Sequence, residues 1–152
     1  MMTTLGCLKS VLVEQMKGYN LLLGLLQRER SSLLSLDALQ VEELSKEKDT
    51  VIMRLSLLEN ERVRLTKKYS QEQGIADEIC LSGIAEASAD EEFHALRLRL
   101  AAMLQSVCEL NEYNRILAER SLSFAKNAIG LLSSLGVGDE SERGAQLISK
   151  EA

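Results

Sequence analysis

Residue types that carry covalent or metal chemistry are scarce in this sequence. His94 is the only histidine, so neither an acid–base pair nor a metal site built on imidazole has material. It falls one residue past an apolar stripe, where a helix faces solvent. Cys7, Cys80 and Cys108 have no paired spacing. They read as small apolar fillers in a reducing compartment rather than as a disulfide framework. The glycines form no phosphate-cradling pattern, and no nucleophile has a base at a readable spacing. Acidic residues interleave with basic ones, as in Glu43, Lys46, Glu47 and Lys48, which is the pattern of a solvated helix face. The expectation is a chain that is not an enzyme and carries no cofactor or metal.

What remains is hydrogen bonding. Asn111 and Asn114 lie three apart in Leu110-Asn111-Glu112-Tyr113-Asn114-Arg115. In one reading Asn114 fixes helix register, as a single polar residue in an apolar seam can, and Asn111 lies at the edge of the stripe. In the other, both line a groove and bond the backbone of a partner.

The element that must position them is long. Phe93, Leu96, Leu100, Met103, Val107, Leu110, Asn114, Leu117, Ser121, Phe124, Ala128, Leu131 and Leu135 alternate spacings of three and four without a slip. That is the seam of a coiled-coil-like helix, about 65 Å long at about 1.5 Å per residue. Around it the sequence predicts an all-α body, an antiparallel three-helix bundle with one very long C-terminal helix and a flexible tail. The first helix runs over about 4–35, with Leu5, Leu8, Leu12, Met16, Tyr19, Leu23, Leu26 and Leu33 on one stripe and Val11, Leu22 and Leu25 widening it. Gly18 and Gly24 would let a neighbour approach closely. Asp37, with Gln40 three residues on, caps a second helix over 38–72, whose seam is Val41, Leu44, Lys48, Val51, Leu55, Leu58, Arg62, Leu65 and Tyr69. Lys48 and Arg62 are expected to lay their aliphatic stems along the core edge and keep their charges wet. A short connector helix falls near 75–86, and Ser88 with Glu91 forms a capping box for the third long helix, 90–134. Residues 1–135 form the body. Residues 136–152 are Gly-containing and polar, a flexible tail whose main apolar side chains are Val137, Leu147 and Ile148.

Composition agrees. There is no Pro and no Trp, and aromatics make up 3% against 45% hydrophobic residues, so aliphatic helix seams must carry the core. With 18 basic and 23 acidic residues the net charge is -5, and no Lys/Arg cluster offers a nucleic-acid surface. The longest apolar run, Leu21 to Leu26, is far short of a membrane span, so no membrane insertion is expected. No signal-peptide pattern opens the chain, and a cytoplasmic location is the expectation.

The stretch Leu110-Asn111-Glu112-Tyr113-Asn114-Arg115-Ile116-Leu117 resembles the signature of the FlgN family of flagellar export chaperones. So does the second helix, in Leu44-Ser45-Lys46-Glu47-Lys48, then Leu55, Leu58-Glu59 and Arg62. The order of parts over about residues 5 to 135 matches as well. The family's tail often carries a Tyr-Gly pair used in docking to the export gate. Here Leu135-Gly136 stands at the comparable place, and no Tyr follows Tyr113.

The resemblance implies a cytoplasmic chaperone. It would bind the C-terminal helical region of hook–filament junction proteins, prevent their premature assembly and deliver them to the flagellar type III export gate. An apolar groove that accepts an amphipathic client helix suits that task. The long helix has an apolar surplus beyond its seam, at Leu98, Leu104, Ala118, Leu122, Ala125, Ile129 and Leu132. The candidate client-binding residues are therefore Asn111, Asn114, Leu117, Leu122, Ile129, Leu132, Val137, Leu147 and Ile148. The alternative is a structural coiled-coil subunit, whose surplus face closes a homo- or hetero-oligomeric bundle.

Overall fold

In the computed structural model, residues 1–136 are described, and all their regular structure is helical. The predicted tail, with Val137, Leu147 and Ile148, lies outside the described residues but for Gly136. The elements in order are α1 (Thr4–Leu34), α2 (Ala38–Glu72), α3 (Leu81–Ser88) and α4 (Glu91–Ser134). Caps written into the sequence set the starts. The Thr3 hydroxyl accepts the Gly6 N–H at 3.1 Å, and the Asp37 carboxylate accepts that of Gln40 at 3.1 Å. Each satisfies an N–H that the first turn of a helix leaves without an intrahelical partner.

Two local expectations fail. The cap of α4 is Asp90, whose carboxylate accepts the Phe93 N–H at 2.8 Å, and not Ser88. Ala89 takes a left-handed backbone (φ 51) and breaks the chain between them, while Ser88 accepts the Asp90 N–H at 3.4 Å. The connector helix spans Leu81–Ser88 rather than 75–86. Gly74 (φ 65) ends α2, and the chain then runs non-helical to Cys80 before it turns.

The chain divides into two compact units after Asn114. In the first, α1 and α2 pair antiparallel: Thr4 bonds Glu72, Gln15 bonds Glu59 and Arg54 reaches Glu14. α4 comes back parallel to α1. Lys9 pairs with Asp90 (2.7 Å) and Glu92 (2.9 Å) near the start of both helices, and Asn114 meets Leu26 and Glu29 near the end of α1. The core gathers Leu8 and Leu12 of α1, Leu65 and Tyr69 of α2, Ile84 and Ala85 of α3, and Phe93, Leu96 and Leu100 of α4. A second cluster, Leu22, Leu26, Leu55 and Val107, continues it. Phe93 is wholly buried, and truncating such a side chain to Ala costs about 3–5 kcal/mol. The close approach foreseen at the glycines holds for Gly18, where an added Cβ would lie 2.6 Å from Leu55 Cδ2, but not for Gly24, which has open space around it.

The α1 seam differs from the one expected. Its buried positions are Thr4, Leu8, Leu12, Gln15, Gly18, Leu22, Leu25, Leu26, Glu29 and Ser32. Gln15 and Glu29 occupy apolar slots because each finds a partner inside the bundle. The Gln15 amide donates to Glu59 at 3.0 Å, and Glu29 meets both Asn114 and Lys48. For the same reason the charges of Lys48 and Arg62 are not left in water. Lys48 is ion-paired with Glu29 in a largely buried contact, and Arg62 forks onto both oxygens of Glu59 at 2.8 and 2.6 Å. Nor are all the cysteines fillers: all three are free thiols, but Cys80 and Cys108 are exposed.

In the second unit the described part is the run of α4 from Arg115 to Ser134, followed by Leu135 and Gly136, with no buried side chain. Arg115 forms an ion pair with Glu119 one turn on.

Candidate functional site

The two asparagines part company in the structure. Asn111 is exposed, whereas Asn114 is 2% exposed. The Asn114 amide donates to the Leu26 carbonyl at 2.8 Å and to Glu29 Oε1 at 2.9 Å. Glu29 in turn is held by Lys48, so one polar contact from each of α1, α2 and α4 meets at this level. The donors of Asn114 are therefore used inside the bundle. One residue earlier the Tyr113 ring lies under the Arg30 guanidinium, 4.9 Å from its centroid. Both contacts fix the register of α4 against α1.

The remaining candidates on α4 lie beyond that level. Leu117 is half-buried. Leu122, Ile129 and Leu132 are exposed, along with Phe124 and Leu131 on the same stretch of helix and Leu135 just past its end. Phe124, Leu131 and Leu135 are seam positions and Leu122, Ile129 and Leu132 the surplus, so the stretch is apolar over more than one stripe. A contiguous exposed apolar run of this kind marks an interaction surface. Val137, Leu147 and Ile148 fall outside the described residues. The wide face of α1 at Leu22 and Leu25, another open surface by its spacing, is buried.

A second feature has no counterpart in the sequence reading. Within the first unit, a groove of about 750 Å³ lies between α2 and the non-helical stretch 75–80, with Gln15 and Tyr19 of α1 and Leu100 and Leu104 of α4 also lining it. The Glu59–Arg62 pair sits on its wall. Arg62, with Gln15 assisting, holds the Glu59 carboxyl below its ordinary range, and Glu59 in turn raises the Arg62 guanidinium. Desolvation, reinforced by the Glu59 charge, pushes the Tyr19 phenol up. Nearby, the exposed Cys80 thiol is lowered by its 2.8 Å hydrogen bond with Ser82 and by the Gly83 N–H. The one signal that pointed here is Gln15 itself, a polar residue in the run Leu8, Leu12, Gln15, Tyr19, Leu22 at seam spacing.

His94 is exposed at the start of α4. No group of three or more His, Cys, Asp or Glu comes together to hold a metal among the described residues, and no helix there is long and apolar enough to cross a membrane.

A family model described as FlgN protein matches residues 1–141. No curated protein and no solved structure matches the chain.

Proposed function

This chain belongs to the FlgN family, a family of flagellar export chaperones, and from that premise we propose that it is the escort of hook–filament junction proteins in the cytoplasm. It would hold their C-terminal helical region, which otherwise self-assembles, and hand them to the flagellar type III export gate. The observation that carries this reading is the exposed apolar run on α4, at Leu122, Phe124, Ile129, Leu131 and Leu132, with Leu135 just past its end. An amphipathic client helix laid against it would bury side chains each worth about 2 kcal/mol. Leu117 extends the surface toward the body. Asn111, exposed earlier on α4, stays a candidate to hydrogen-bond a client, whereas the Asn114 amide serves the body.

The test is calorimetric titration of the full chain with the purified C-terminal segment of a hook–filament junction protein. Ile129→Asp and Leu132→Asp should each weaken binding at least tenfold, which is about 1.4 kcal/mol, while circular dichroism shows helicity retained. Leu55→Asp, at a site 5% exposed between α1 and α4, should instead unfold the body. Binding by Ile129→Asp and Leu132→Asp as tight as the parent's would remove the client site from α4. The same surface could close a homo-oligomer of a structural protein. Light scattering separates the two, since a concentration-independent oligomer without client would favour the structural role.

A further inference from the structure

The groove beside α2 carries a nucleophile that the client surface does not use. Cys80 lines the groove, is exposed, and stands at the N-cap of α3. Its Sγ lies 2.8 Å from Ser82 Oγ, and the Gly83 N–H faces it from the first turn of the helix. Hydroxyl and amide donors at a helix N-terminus favour the thiolate, which is the form that attacks a disulfide. Cys108 is also exposed but sits in the middle of α4, and Cys7 is only half-buried on α1. A cysteine at a helix end is not yet a site. The second observation is the cavity beside it. Gln15 is 1% exposed; its amide N–H donates to Glu59, while its Oε1 has no partner among the described residues. Ser70 is 6% exposed, and its hydroxyl has no partner there either. Both line the same groove as Cys80. Buried polar atoms without a hydrogen bond are uncommon in folded proteins, and two in one cavity mark a place where a bound group would complete them. At about 750 Å³ the groove falls in the range of small-molecule sites.

We propose that Cys80 is a site of reversible S-thiolation, where a small disulfide bearing amide groups reacts and leaves one half in the groove. The amide N–H of that half would donate to Gln15 Oε1, and its carbonyl would accept from the Ser70 hydroxyl. The Cys80 thiolate attacks one sulfur of the disulfide. A bond forms between Cys80 Sγ and that sulfur, and the original S–S bond breaks. The other sulfur leaves with the electron pair and takes up the proton that the Cys80 thiol gave up. Cys80 is thereby oxidised to a mixed disulfide while the departing half is reduced to a thiol, so no further oxidant enters. A free thiol in excess reverses the step. The site lies apart from the apolar run on α4 and does not depend on the chaperone reading.

The probes are two uncharged disulfides, diacetylcystamine, which carries amides, and diethyl disulfide, which carries no polar group. The reduced full chain is incubated with each at neutral pH, and adduct formation at each cysteine is timed by mass spectrometry of the digested protein. Cys80 should react at least tenfold faster than Cys108 with diacetylcystamine. The rate ratio of diacetylcystamine to diethyl disulfide should be at least threefold larger at Cys80 than at Cys108, a comparison in which the intrinsic reactivity of the probes cancels. Ser70→Ala should remove most of that preference yet leave the melting temperature no lower, because it deletes a buried hydroxyl that the free protein leaves unbonded. Ser82→Ala should slow both probes at Cys80 and spare the preference. Equal rates at Cys80 and Cys108 would overturn the proposal. So would a fast Cys80 without preference for the amide probe, which is a reactive surface thiol and no more. A preference undiminished by Ser70→Ala would also overturn it, by taking the bound half out of the groove.

Discussion

Replacing Asn114 with Leu tests whether the polar contact between α1, α2 and α4 stabilises the fold or only specifies it. Leu fits an apolar seam slot and keeps the volume roughly constant, so the substitution isolates the hydrogen bonds. Two are lost. The bond to Glu29 Oε1 at 2.9 Å is made to a charged group, worth about 1.5–3 kcal/mol, and the bond to the Leu26 carbonyl at 2.8 Å is worth about 1 kcal/mol. Against this, Asn114 Oδ1 is buried without a partner, and its removal together with the added apolar burial returns about 1–2 kcal/mol. The net expectation is destabilisation by about 2 kcal/mol, or about 4–8 °C in melting temperature for a chain of this size. Urea titration followed by circular dichroism measures it. Asn111→Leu, at an exposed position three residues earlier, should move stability by no more than about 0.5 kcal/mol. The reasoning is refuted if Asn114→Leu is as stable as the parent or more so. In that case the triple change Asn114→Leu, Glu29→Leu, Lys48→Leu should be more stable still, as happens when apolar packing replaces a buried ionic cluster.

Other outcomes follow from single distances and charges. Gly18→Ala should destabilise by about 1–2 kcal/mol, because the new methyl meets Leu55 Cδ2 at 2.6 Å and Cγ at 3.1 Å, outweighing the roughly 1 kcal/mol gained in helix propensity. Gly24→Ala, with open space around it, should gain most of that propensity, and thermal melts of the pair give the sign of each. The Glu59 carboxyl is lowered from 4.5 in the fold, chiefly by Arg62, so its stabilisation is present above about pH 4.5 and is lost as pH falls below it through the folded value. Glu59→Gln should therefore flatten the fall of stability below pH 4.5 in acid-dependent urea titrations; an unchanged slope would assign that fall to other carboxylates.

The helices were legible in the sequence for more than one reason. The three–four alternation from Phe93 onward needs only side-chain spacing, and burial follows it through Phe93, Leu96, Leu100, Val107 and Asn114. The Asp37 cap depends on one local bond and was equally readable. The α1 seam was misplaced because Gln15 and Glu29 are polar, and their admission to the core depends on Glu59, Asn114 and Lys48, which lie far away in sequence. Periodicity cannot see a partner 44 or 85 residues off. The groove was illegible for a related reason. Its wall is a stretch with no period at all, and its character comes from Ser70 and Gln15 being left unbonded, a property of packing rather than of composition.

The parallel return of α4 onto α1 has a consequence for synthesis. α1 and α2 are joined by a three-residue turn and can pair as soon as both have left the ribosome. The contacts that complete the core, Lys9 with Glu92 and Asn114 with Leu26, close loops of 83 and 88 residues. Between the emergence of Glu72 and that of Asn114, at about 5–20 residues per second, the nascent hairpin holds Leu8, Leu12, Leu65 and Tyr69 uncovered for about 2–8 seconds. Long-range closure also places the docking of α4 late on the folding path, so Phe93→Leu should speed unfolding more than it slows folding in stopped-flow chevrons.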